Sequence, residues 1–341
     1  MKVAVIGAGI AGLAAAHRLR HEAQVSLFEA GEWFGGHTHT VDLTLPDAGG
    51  RPVTHGVDTG FLVFNERTYP QLIRLFGELD VPTAVSDMSF SVQVDRAFGD
   101  QPLEWSGSTL ATVFAQRGNL VRPAFWGMLV DLLRFNQLAT RIAETGTEQA
   151  LAQPLQDFLD THRFGAAFRQ WYLLPMIGCI WSCPTDQMLR FPVSTLIRFC
   201  HNHGLLQVSN RPRWFTVAGG ARQYVQRILE GLPDRRLATP VEAVRRDATG
   251  VSLRVGGGWE RFDYAVIATH SDQALGLLSD ASREERALLG AIRYQPNRAV
   301  LHTDRSVLPR RESAWAAWNY ERGAGAGPDA QVCLHYLLNR L

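Results

Sequence analysis

Long apolar runs, an excess of one charge and paired cysteines are all missing from this sequence. No stretch approaches about 18 uninterrupted apolar residues, so a membrane-spanning helix is not predicted. Arginine and lysine together number 34 against 33 acidic residues, a balance that gives no reason to expect a nucleic-acid partner. No C-x-x-C pair occurs, which predicts reduced, buried thiols and no metal site; the cysteines are Cys179, Cys183, Cys200 and Cys333.

The rest of the composition is that of a folded chain with room for two domains. Hydrophobic residues make up 46% of its 341 residues and charged residues 20%, which excludes a disordered chain. The apolar amino terminus resembles a signal peptide, but cleavage there would remove a glycine-rich turn that begins at Gly7. The sequence therefore predicts a cytoplasmic protein, and it leaves open a peripheral contact with a membrane.

Strand and helix patterns alternate around that glycine turn. Residues 2–6 form an apolar, strand-like run, the turn occupies residues 7–12, and residues 13–21 have helical character. A second strand-like run, residues 25–28, ends at Glu29. A G-x-G-x-x-G turn between a strand and a helix is specific for dinucleotide binding.

Each glycine of the turn has its own role in that chemistry. Gly7 permits the tight turn, Gly9 lets the backbone approach a pyrophosphate, and Gly12 lets helix and strand pack closely. The N–H groups at the start of the helix attract the phosphates. Glu29, 22 positions after Gly7 (29 − 7), is placed to accept a hydrogen bond from a ribose hydroxyl.

The residues after Glu29 favour a flavin over a nicotinamide. Five residues separate Glu29 from Gly35-Gly36, a spacing similar to the FAD fingerprint of the amine oxidase and phytoene desaturase superfamily. In that superfamily the Gly-Gly loop passes under the FAD pyrophosphate, and arginine commonly follows it. This chain has His37 instead.

Weaker matches extend the resemblance to about residue 303. Residues 57–61 resemble the segment beside the flavin, 214–220 a second glycine turn, 241–244 the strand that contacts the adenine, and 264–269 the strand that closes the nucleotide sheet. The resemblance implies FAD as the cofactor. The cofactor-binding residues that it implies are Gly7, Gly9, Ile10, Ala11, Gly12, Glu29, Ala30, Gly35, Gly36, His37, Thr38, Asp58, Thr59, Gly60, Phe61, Val241 and Thr269.

The resemblance also implies an α/β fold. A Rossmann-like FAD/NAD(P)-binding domain of the glutathione-reductase type, residues 1–65 and 206–280, is expected to be interrupted by a mostly helical α+β substrate domain, residues 66–205 and 281–341. Residues 108–203 are mostly helical in pattern and rich in aromatic side chains. These side chains fit two interpretations, a packed core and an apolar tunnel leading to the flavin.

One absence bears on the substrate, because flavins carry the hydride chemistry themselves. Typical amine oxidases of the superfamily hold a lysine that contacts flavin N5 through a water. Lys2 is the only lysine in this chain, and the equivalent position falls at Asn297 or Arg298 in a strand predicted over residues 294–300. Arginine stays protonated and cannot act as a base. Amine oxidation is therefore disfavoured.

Within the superfamily the chain most resembles a bacterial group known only as predicted NAD/FAD-binding proteins. The similar stretches are residues 37–40, 58–61, 202–205 and 315–319. Genes of that group often lie near methyltransferases of the cyclopropane-fatty-acid-synthase type. The resemblance thus implies an apolar small-molecule substrate such as a lipid acyl chain, with hydride transfer to flavin N5 giving desaturation or a double-bond shift.

Two histidines near the Gly-Gly turn are the candidate catalytic acid–base residues. His37 and His39 directly follow the turn, and histidine is suited to proton transfer near neutral pH. Hydrogen bonding to phosphate or to the backbone is the other role open to them. For the chain as a whole, the alternatives are a flavin amine oxidase and a non-catalytic flavin- or nucleotide-binding protein.

The carboxyl terminus departs from the superfamily pattern. Members return to the FAD domain through a glycine-containing segment that opens a helix, and no such segment precedes Leu341. The sequence therefore predicts a truncated chain. Such a chain is expected to hold FAD weakly or not at all, with apolar surface left uncovered.

Overall fold

The computed structural model describes residues 1–146, 152–181, 185–207, 210–322 and 332–341. They divide into two compact units. Unit 1 comprises Met1–Val63, Gln71–Ala84 and Thr216–Leu301, and unit 2 comprises Phe64–Pro70, Val85–Phe215 and His302–Leu341.

Unit 1 differs from the predicted nucleotide domain, residues 1–65 and 206–280, by including residues 71–84 and 281–301 and by leaving out residues 64–65 and 206–215. Side-chain contacts hold both additions. The Phe76 ring lies 5.1 Å from the Tyr224 ring. Arg246 forms ion pairs with Asp280 and Glu285 at 3.0 and 2.6 Å.

Strands and helices follow one another along both units. The strands are β1 (Lys2–Ile6), β2 (Gln24–Phe28), β3 (Thr40–Pro46), β4 (Pro52–Asp58), β5 (Phe64–Asn65), β6 (Thr83–Ser86), β7 (Phe90–Phe98), β8 (Gln101–Ser106), β9 (Trp214–Val217), β10 (Asp234–Arg236), β11 (Val241–Asp247), β12 (Gly250–Val255), β13 (Gly258–Phe262), β14 (Tyr264–Ile267), β15 (Trp318–Arg322) and β16 (Val332–Tyr336). The helices are α1 (Ile10–Leu19), α2 (Pro70–Glu78), α3 (Leu110–Val113), α4 (Pro123–Thr145), α5 (Leu155–Thr161), α6 (Ala166–Phe168), α7 (Leu174–Trp181), α8 (Thr185–Arg190), α9 (Val193–Asn202), α10 (Arg222–Glu230), α11 (Ser271–Leu277) and α12 (Arg283–Ala291).

A parallel sheet with strand order β10-β2-β1-β14 forms the centre of unit 1. Val3 pairs with Val25 on one side and with Tyr264 on the other. Four of the five residues of β1 and of β2 are buried, as expected for parallel strands covered on both faces. The predicted order of strand, glycine turn, helix and strand is confirmed, with α1 beginning three residues earlier than the helical pattern indicated.

A second, antiparallel sheet packs against the parallel one. Its strand order is β11-β12-β13. The rings of Phe28 and Phe262 meet edge to face, with centroids 6.0 Å apart. Ile6, Val244 and Leu253 belong to the same buried cluster, which joins the two sheets of unit 1.

One carboxylate joins the β3–β4 hairpin to the start of α10. Asp58 accepts a hydrogen bond from the Ala221 N–H at 2.9 Å and another from the Thr40 hydroxyl. Burial raises the pKa of Asp58, although these hydrogen bonds oppose the rise. On the same hairpin, hydrogen bonds from Arg222 lower the pKa of the exposed Asp42.

In unit 2, a mixed sheet with strand order β16-β15-β7-β8 packs against helices. β15 runs parallel to β7, and the other two pairings are antiparallel. Val92, Trp105 and Tyr320 point from this sheet into the helical core. The core interpretation of the aromatic residues accounts for five that are at most 3% exposed: Phe125, Phe135, Phe158, Phe164 and Phe168.

The cysteines of unit 2 lie in different surroundings. Cys179 and Cys200 are buried, and burial raises the pKa of the Cys200 thiol to about 12. Both thiols are therefore protonated and unreactive at neutral pH. Cys333 is exposed, and Cys183 lies outside the described residues.

A fully buried carboxylate, Glu104 of β8, holds the chain that precedes β15. Its Oε2 accepts a hydrogen bond from the Arg311 guanidinium at 2.6 Å, and its Oε1 accepts one from the Arg310 N–H at 2.9 Å. Glu104 is 0% exposed and the Arg311 side chain is 41% exposed. Water can therefore solvate Arg311 when Glu104 is removed, whereas the buried Glu104 carboxylate has little access to water when Arg311 is removed.

Among the described residues, no helix combines the length and the apolar character that crossing a bilayer requires. The longest of those helices, α4, has 23 residues and packs Phe125, Met128 and Phe135 into the core of unit 2.

Removing Arg311 is expected to destabilise unit 2 more than removing Glu104. Arg311→Gln leaves a buried carboxylate without its cation and should cost about 3–5 kcal/mol. Glu104→Gln leaves an arginine that water can solvate, and should cost about 1–3 kcal/mol. Urea unfolding measures both. Arg305→Gln, which breaks the exposed pair with Glu312, is the control and should cost about 0–1 kcal/mol; equal losses for Arg305→Gln and Arg311→Gln would contradict the assignment.

Asp58→Asn and Asp42→Asn are expected to change the pH dependence of stability in opposite directions. Because the pKa of Asp58 is raised in the folded state, Asp58 contributes less to stability as the pH rises through its titration. Because the pKa of Asp42 is lowered, Asp42 contributes more to stability as the pH rises. Between about pH 3 and pH 6, the stability of the wild type relative to Asp58→Asn should fall, and relative to Asp42→Asn it should rise. Urea unfolding across this range checks both signs, and slopes of the same sign would refute the account.

Candidate functional site

The turn between β1 and α1 brings two stretches of backbone into close contact. A Cβ on Gly12 would lie 1.9 Å from the Gly7 carbonyl oxygen, so only glycine allows this approach. Gly7 itself has a φ of +96°, and a Cβ there would lie 2.7 Å from the Ala268 carbonyl oxygen. The turn predicted from the sequence is thus held between α1 and the end of β14.

The start of α1 is open on the side where a phosphate would bind. A Cβ on Gly9 would meet no atom within 4 Å. No side chain caps the helix, and its first turn contains no acidic residue. Ile10 and Ala11 are exposed. The first N–H groups of a helix have no acceptor within the helix, so this end of α1 offers donors and a partial positive charge to an anion.

Glu29 stands at the end of β2, beside that turn. Its Oε2 accepts a hydrogen bond from the Ala8 N–H and its Oε1 one from the Gly31 N–H, both at 2.8 Å. These bonds fix the carboxylate at the carboxyl edge of the sheet, where it retains lone pairs for a ribose hydroxyl. Ala30, the next residue, is exposed.

The predicted Gly-Gly turn lies directly against the first glycine turn. Gly35 and Gly9 form a parallel bridge, and the Gly35 N–H donates to the Ala8 carbonyl oxygen at 2.8 Å. A Cβ on Gly36 would lie 3.1 Å from the Gly9 Cα. The structure therefore brings together the two motifs that the sequence separates by more than twenty residues.

The predicted segments 37–40 and 58–61 also lie side by side. The Phe61 N–H donates to the His37 carbonyl oxygen at 3.0 Å, and a Cβ on Gly60 would lie 2.1 Å from that oxygen. The Thr59 N–H donates to the His39 carbonyl oxygen at 2.9 Å. These bonds make the two segments one ladder continuous with the β3–β4 hairpin.

Two predicted cofactor residues of these segments are hydrogen-bonded to other residues of the chain. The Thr38 hydroxyl is hydrogen-bonded to the Tyr224 hydroxyl, and burial raises the pKa of Tyr224 to about 12. Asp58 is bonded to Thr40 and Ala221. Their contacts in the structure are those of residues that position the glycine turns.

The two candidate catalytic histidines differ in their surroundings. The His39 ring stacks on Trp33, with centroids 4.4 Å apart, and its Nδ1 lies 3.1 Å from Thr59 Oγ1. The exposed His37 has its ring 6.1 Å from the ring of His270, nearly parallel to it. His39 is thus held by neighbours, and His37 faces solvent beside Gly36.

The sequence did not identify His270 and Tyr294 as site residues. Their rings stack with centroids 4.1 Å apart, and the Ser271 N–H donates to the Tyr294 hydroxyl at 3.0 Å. His270 lies three residues past the end of β14 and directly follows Thr269, and this position was the only feature of the sequence that pointed to it. The strand predicted over residues 294–300 is wrong, because this segment pairs with no other strand among the described residues.

The two remaining predicted cofactor residues lie in different surroundings. Thr269 lies beside Gly7, since a Cβ on Gly7 would be 3.2 Å from its Cγ2. Val241 is 9% exposed and packs in the core cluster with Phe28. No group of three or more His, Cys, Asp or Glu side chains within the described ranges is arranged to hold a metal ion.

The geometry of this site fits a dinucleotide such as FAD. Open space at Gly9, an uncapped and acid-free helix start, and a fixed carboxylate at Glu29 are what a pyrophosphate and its adjoining ribose require. Gly35 and Gly36 add a second backbone turn at the same place. With FAD bound, Gly9, Glu29 and Gly36 would hold it.

Solved structures share this fold. Cyclohexylamine oxidase from Brevibacterium oxydans IH-35A is 22% identical with a TM-score of 0.63, and the match covers 85% of this chain and 62% of that chain. Putrescine oxidase bound to putrescine is 18% identical with a TM-score of 0.60, covering 85% and 63%. The fatty acid isomerase from P. acnes that produces CLA is 16% identical with a TM-score of 0.56, covering 84% and 63%.

These matches show a shared fold, and their coverages show how much of each protein this chain spans. The chain spans less than two thirds of each of the three proteins. No curated protein matched the sequence. Residues 10–333, nearly the whole chain, match the family described as flavin containing amine oxidoreductase, whose cofactor is FAD. The α/β fold implied by the sequence is confirmed, and the chain belongs to the flavin-containing amine oxidoreductase family.

Proposed function

We propose that the chain is an FAD-dependent oxidoreductase acting on an apolar substrate, a lipid acyl chain, as a desaturase or double-bond isomerase. The observation that carries the proposal is the position of the only lysine. Lys2 begins β1, and its backbone N–H donates to Asp263 at 2.7 Å. β1 runs from Lys2 toward Gly7, so the ammonium group lies at the opposite end of the strand from the glycine turns.

The cofactor belongs to unit 1 in this proposal. All seventeen predicted cofactor residues lie in segments of unit 1. When bound, FAD supplies a hydride acceptor at its N5. The chain contributes the backbone turns at Gly9 and Gly36, the carboxylate of Glu29, and the order that Asp58 imposes on the hairpin.

The residue content of unit 2 is compatible with an apolar substrate. Its aliphatic and aromatic side chains form a packed core, and the same residue types line pockets that accept an acyl chain. The resemblance of the fold to a fatty acid isomerase supports this class of substrate. Cyclohexylamine and putrescine oxidases share the fold with higher TM-scores, 0.63 and 0.60 against 0.56 for the isomerase, so amine oxidation is kept as the second candidate.

His37 is the proposed acid–base residue, and His39 is the weaker candidate of the two. His37 is exposed beside Gly36, so its ring can reach a bound molecule. His39 is held between Trp33 and Thr59, which suits a positioning role. The His37 imidazole can therefore take the acid–base role that histidine commonly has in enzymes.

Gly9→Ala is expected to weaken FAD binding without changing the thermal stability of the protein in the absence of FAD. A Cβ at Gly9 meets no protein atom within 4 Å, but it would occupy the approach of the pyrophosphate. FAD titrated into the purified chain and followed by flavin absorbance should bind at least about tenfold more weakly to the variant, a loss of about 1.4 kcal/mol. Thermal unfolding without FAD should be unchanged.

Gly276→Ala is the matched control, since a Cβ there also meets nothing within 4 Å. It should bind FAD like the wild type. Equal weakening in both variants would show a general effect on unit 1, and equal binding by Gly9→Ala and wild type would place the pyrophosphate elsewhere. A wild-type chain that takes up no FAD, which is the outcome expected of a truncated chain, would refute the proposal for this chain.

The substrate class is tested by anaerobic reduction of the bound flavin. Unsaturated fatty acids and their phospholipid esters should bleach the flavin or emerge with a shifted double bond, whereas cyclohexylamine and putrescine should do neither. His37→Gln should lower the rate about 10²- to 10⁴-fold with FAD still bound, and His39→Gln should have a smaller effect. Bleaching by an amine alone would establish the amine oxidase alternative, and bound FAD that reacts with neither class would favour a non-catalytic protein.

A further inference from the structure

Helix α4 exposes an apolar face where a surface helix ordinarily carries polar residues. Trp126, Val130 and Leu133 are spaced by four and three residues, so they lie on one face of the helix. Their exposed fractions are 46%, 61% and 50%. The opposite face packs Phe125 and Met128 into the core of unit 2. The helix is therefore apolar on both sides over its first three turns.

The short 3₁₀ turn before α4 extends this surface. The Trp126 indole N–H donates to the Leu120 carbonyl oxygen at 2.9 Å, which fixes the ring beside the turn. Leu120 and Val121 are 50% and 84% exposed. These residues together, Leu120, Val121, Trp126, Val130 and Leu133, are called the α4 patch.

Arginines border the α4 patch. Arg117 precedes it, Arg134 follows Leu133, and Arg141 lies two helical turns beyond Leu133 on the same side. Arg134 contacts Asp131 at 3.1 Å, and Asp131 also accepts a hydrogen bond from the Gly165 N–H.

Acidic groups are few along the same stretch. Within residues 117–145, all of which the structure describes, Glu144 is the other acid besides Asp131. It lies about 16 Å along the helix from Leu133. Arginines therefore outnumber acidic residues by four to two along residues 117–145.

We propose that the α4 patch binds the surface of an anionic lipid bilayer. An apolar helix face with an exposed tryptophan and a border of arginines is the arrangement of a helix that lies in the plane of a membrane interface. Charge complementarity selects the occupant. In a two-fold dimer through this patch, the same arginines from each copy would face one another, whereas anionic headgroups neutralise them.

The proposal concerns binding alone and does not depend on flavin chemistry. The test is sedimentation of the whole chain, without added FAD, with vesicles of phosphatidylglycerol and phosphatidylcholine in equal amounts. Binding to these vesicles is expected, together with weaker binding to phosphatidylcholine alone and a decrease as the salt concentration rises.

The double variant Val130→Ser with Leu133→Gln should bind the mixed vesicles about tenfold more weakly, since it removes two exposed apolar side chains. Arg141→Gln should weaken binding about fivefold on the mixed vesicles and leave binding to phosphatidylcholine unchanged. Leu288→Gln and Arg283→Gln, on the exposed face of α12 in unit 1, are the matched controls and should bind like the wild type.

Sedimentation velocity of the free protein distinguishes the other occupants. A dimer that the double variant dissociates, with no vesicle binding, would overturn the proposal in favour of a second copy of the chain. A monomer that binds no vesicles would overturn it outright. Vesicle binding that the controls lose as much as the α4 variants would also overturn it.

Discussion

The close approach of Gly12 to the Gly7 carbonyl oxygen is the constraint on which the site depends. No side chain larger than hydrogen fits there, because a Cβ would overlap that oxygen at 1.9 Å. The approach seats α1 against β1 and leaves its first N–H groups pointing past the edge of the sheet. Unit 1 could bury its parallel strands without this contact, but the helix start would then not lie beside Glu29.

The other parts of the site lie around that helix start through backbone contacts. Gly35 pairs with Gly9, and Glu29 accepts two backbone N–H groups before any ligand is present. Asp58 holds the hairpin to α10 at the cost of burying a carboxylate, which its raised pKa shows. The cofactor residues are thus ordered by the protein itself, so less conformational entropy is lost when a dinucleotide binds.

The sequence predicted the parts of this site that depend on local backbone geometry. Gly7, Gly9 and Gly12 indicate a turn whose backbone geometry is set by residues close together in the sequence. The position of Glu29 is predicted by the usual length of a βαβ unit. His270 and Tyr294 were missed because their stacking joins residues from the end of β14 and from beyond α12. The strand expected over residues 294–300 was wrong because it was placed by equivalence with the superfamily, whereas the segment itself contains Pro296 and few apolar residues. The exposed face of α4 was missed because periodicity cannot distinguish its two apolar sides.

The near absence of lysine limits which groups of the chain can move a proton. Arginine keeps its proton throughout the pH range in which proteins fold, so the arginines of this chain neutralise and orient but do not act as bases. Lys2 lies at the far end of β1 from the glycine turns, a strand of about 16 Å. Proton transfer near those turns therefore falls to histidine or carboxylate groups. Glu29 and Asp58 are already engaged by backbone N–H groups, which leaves the exposed His37 beside Gly36 and its neighbour His270.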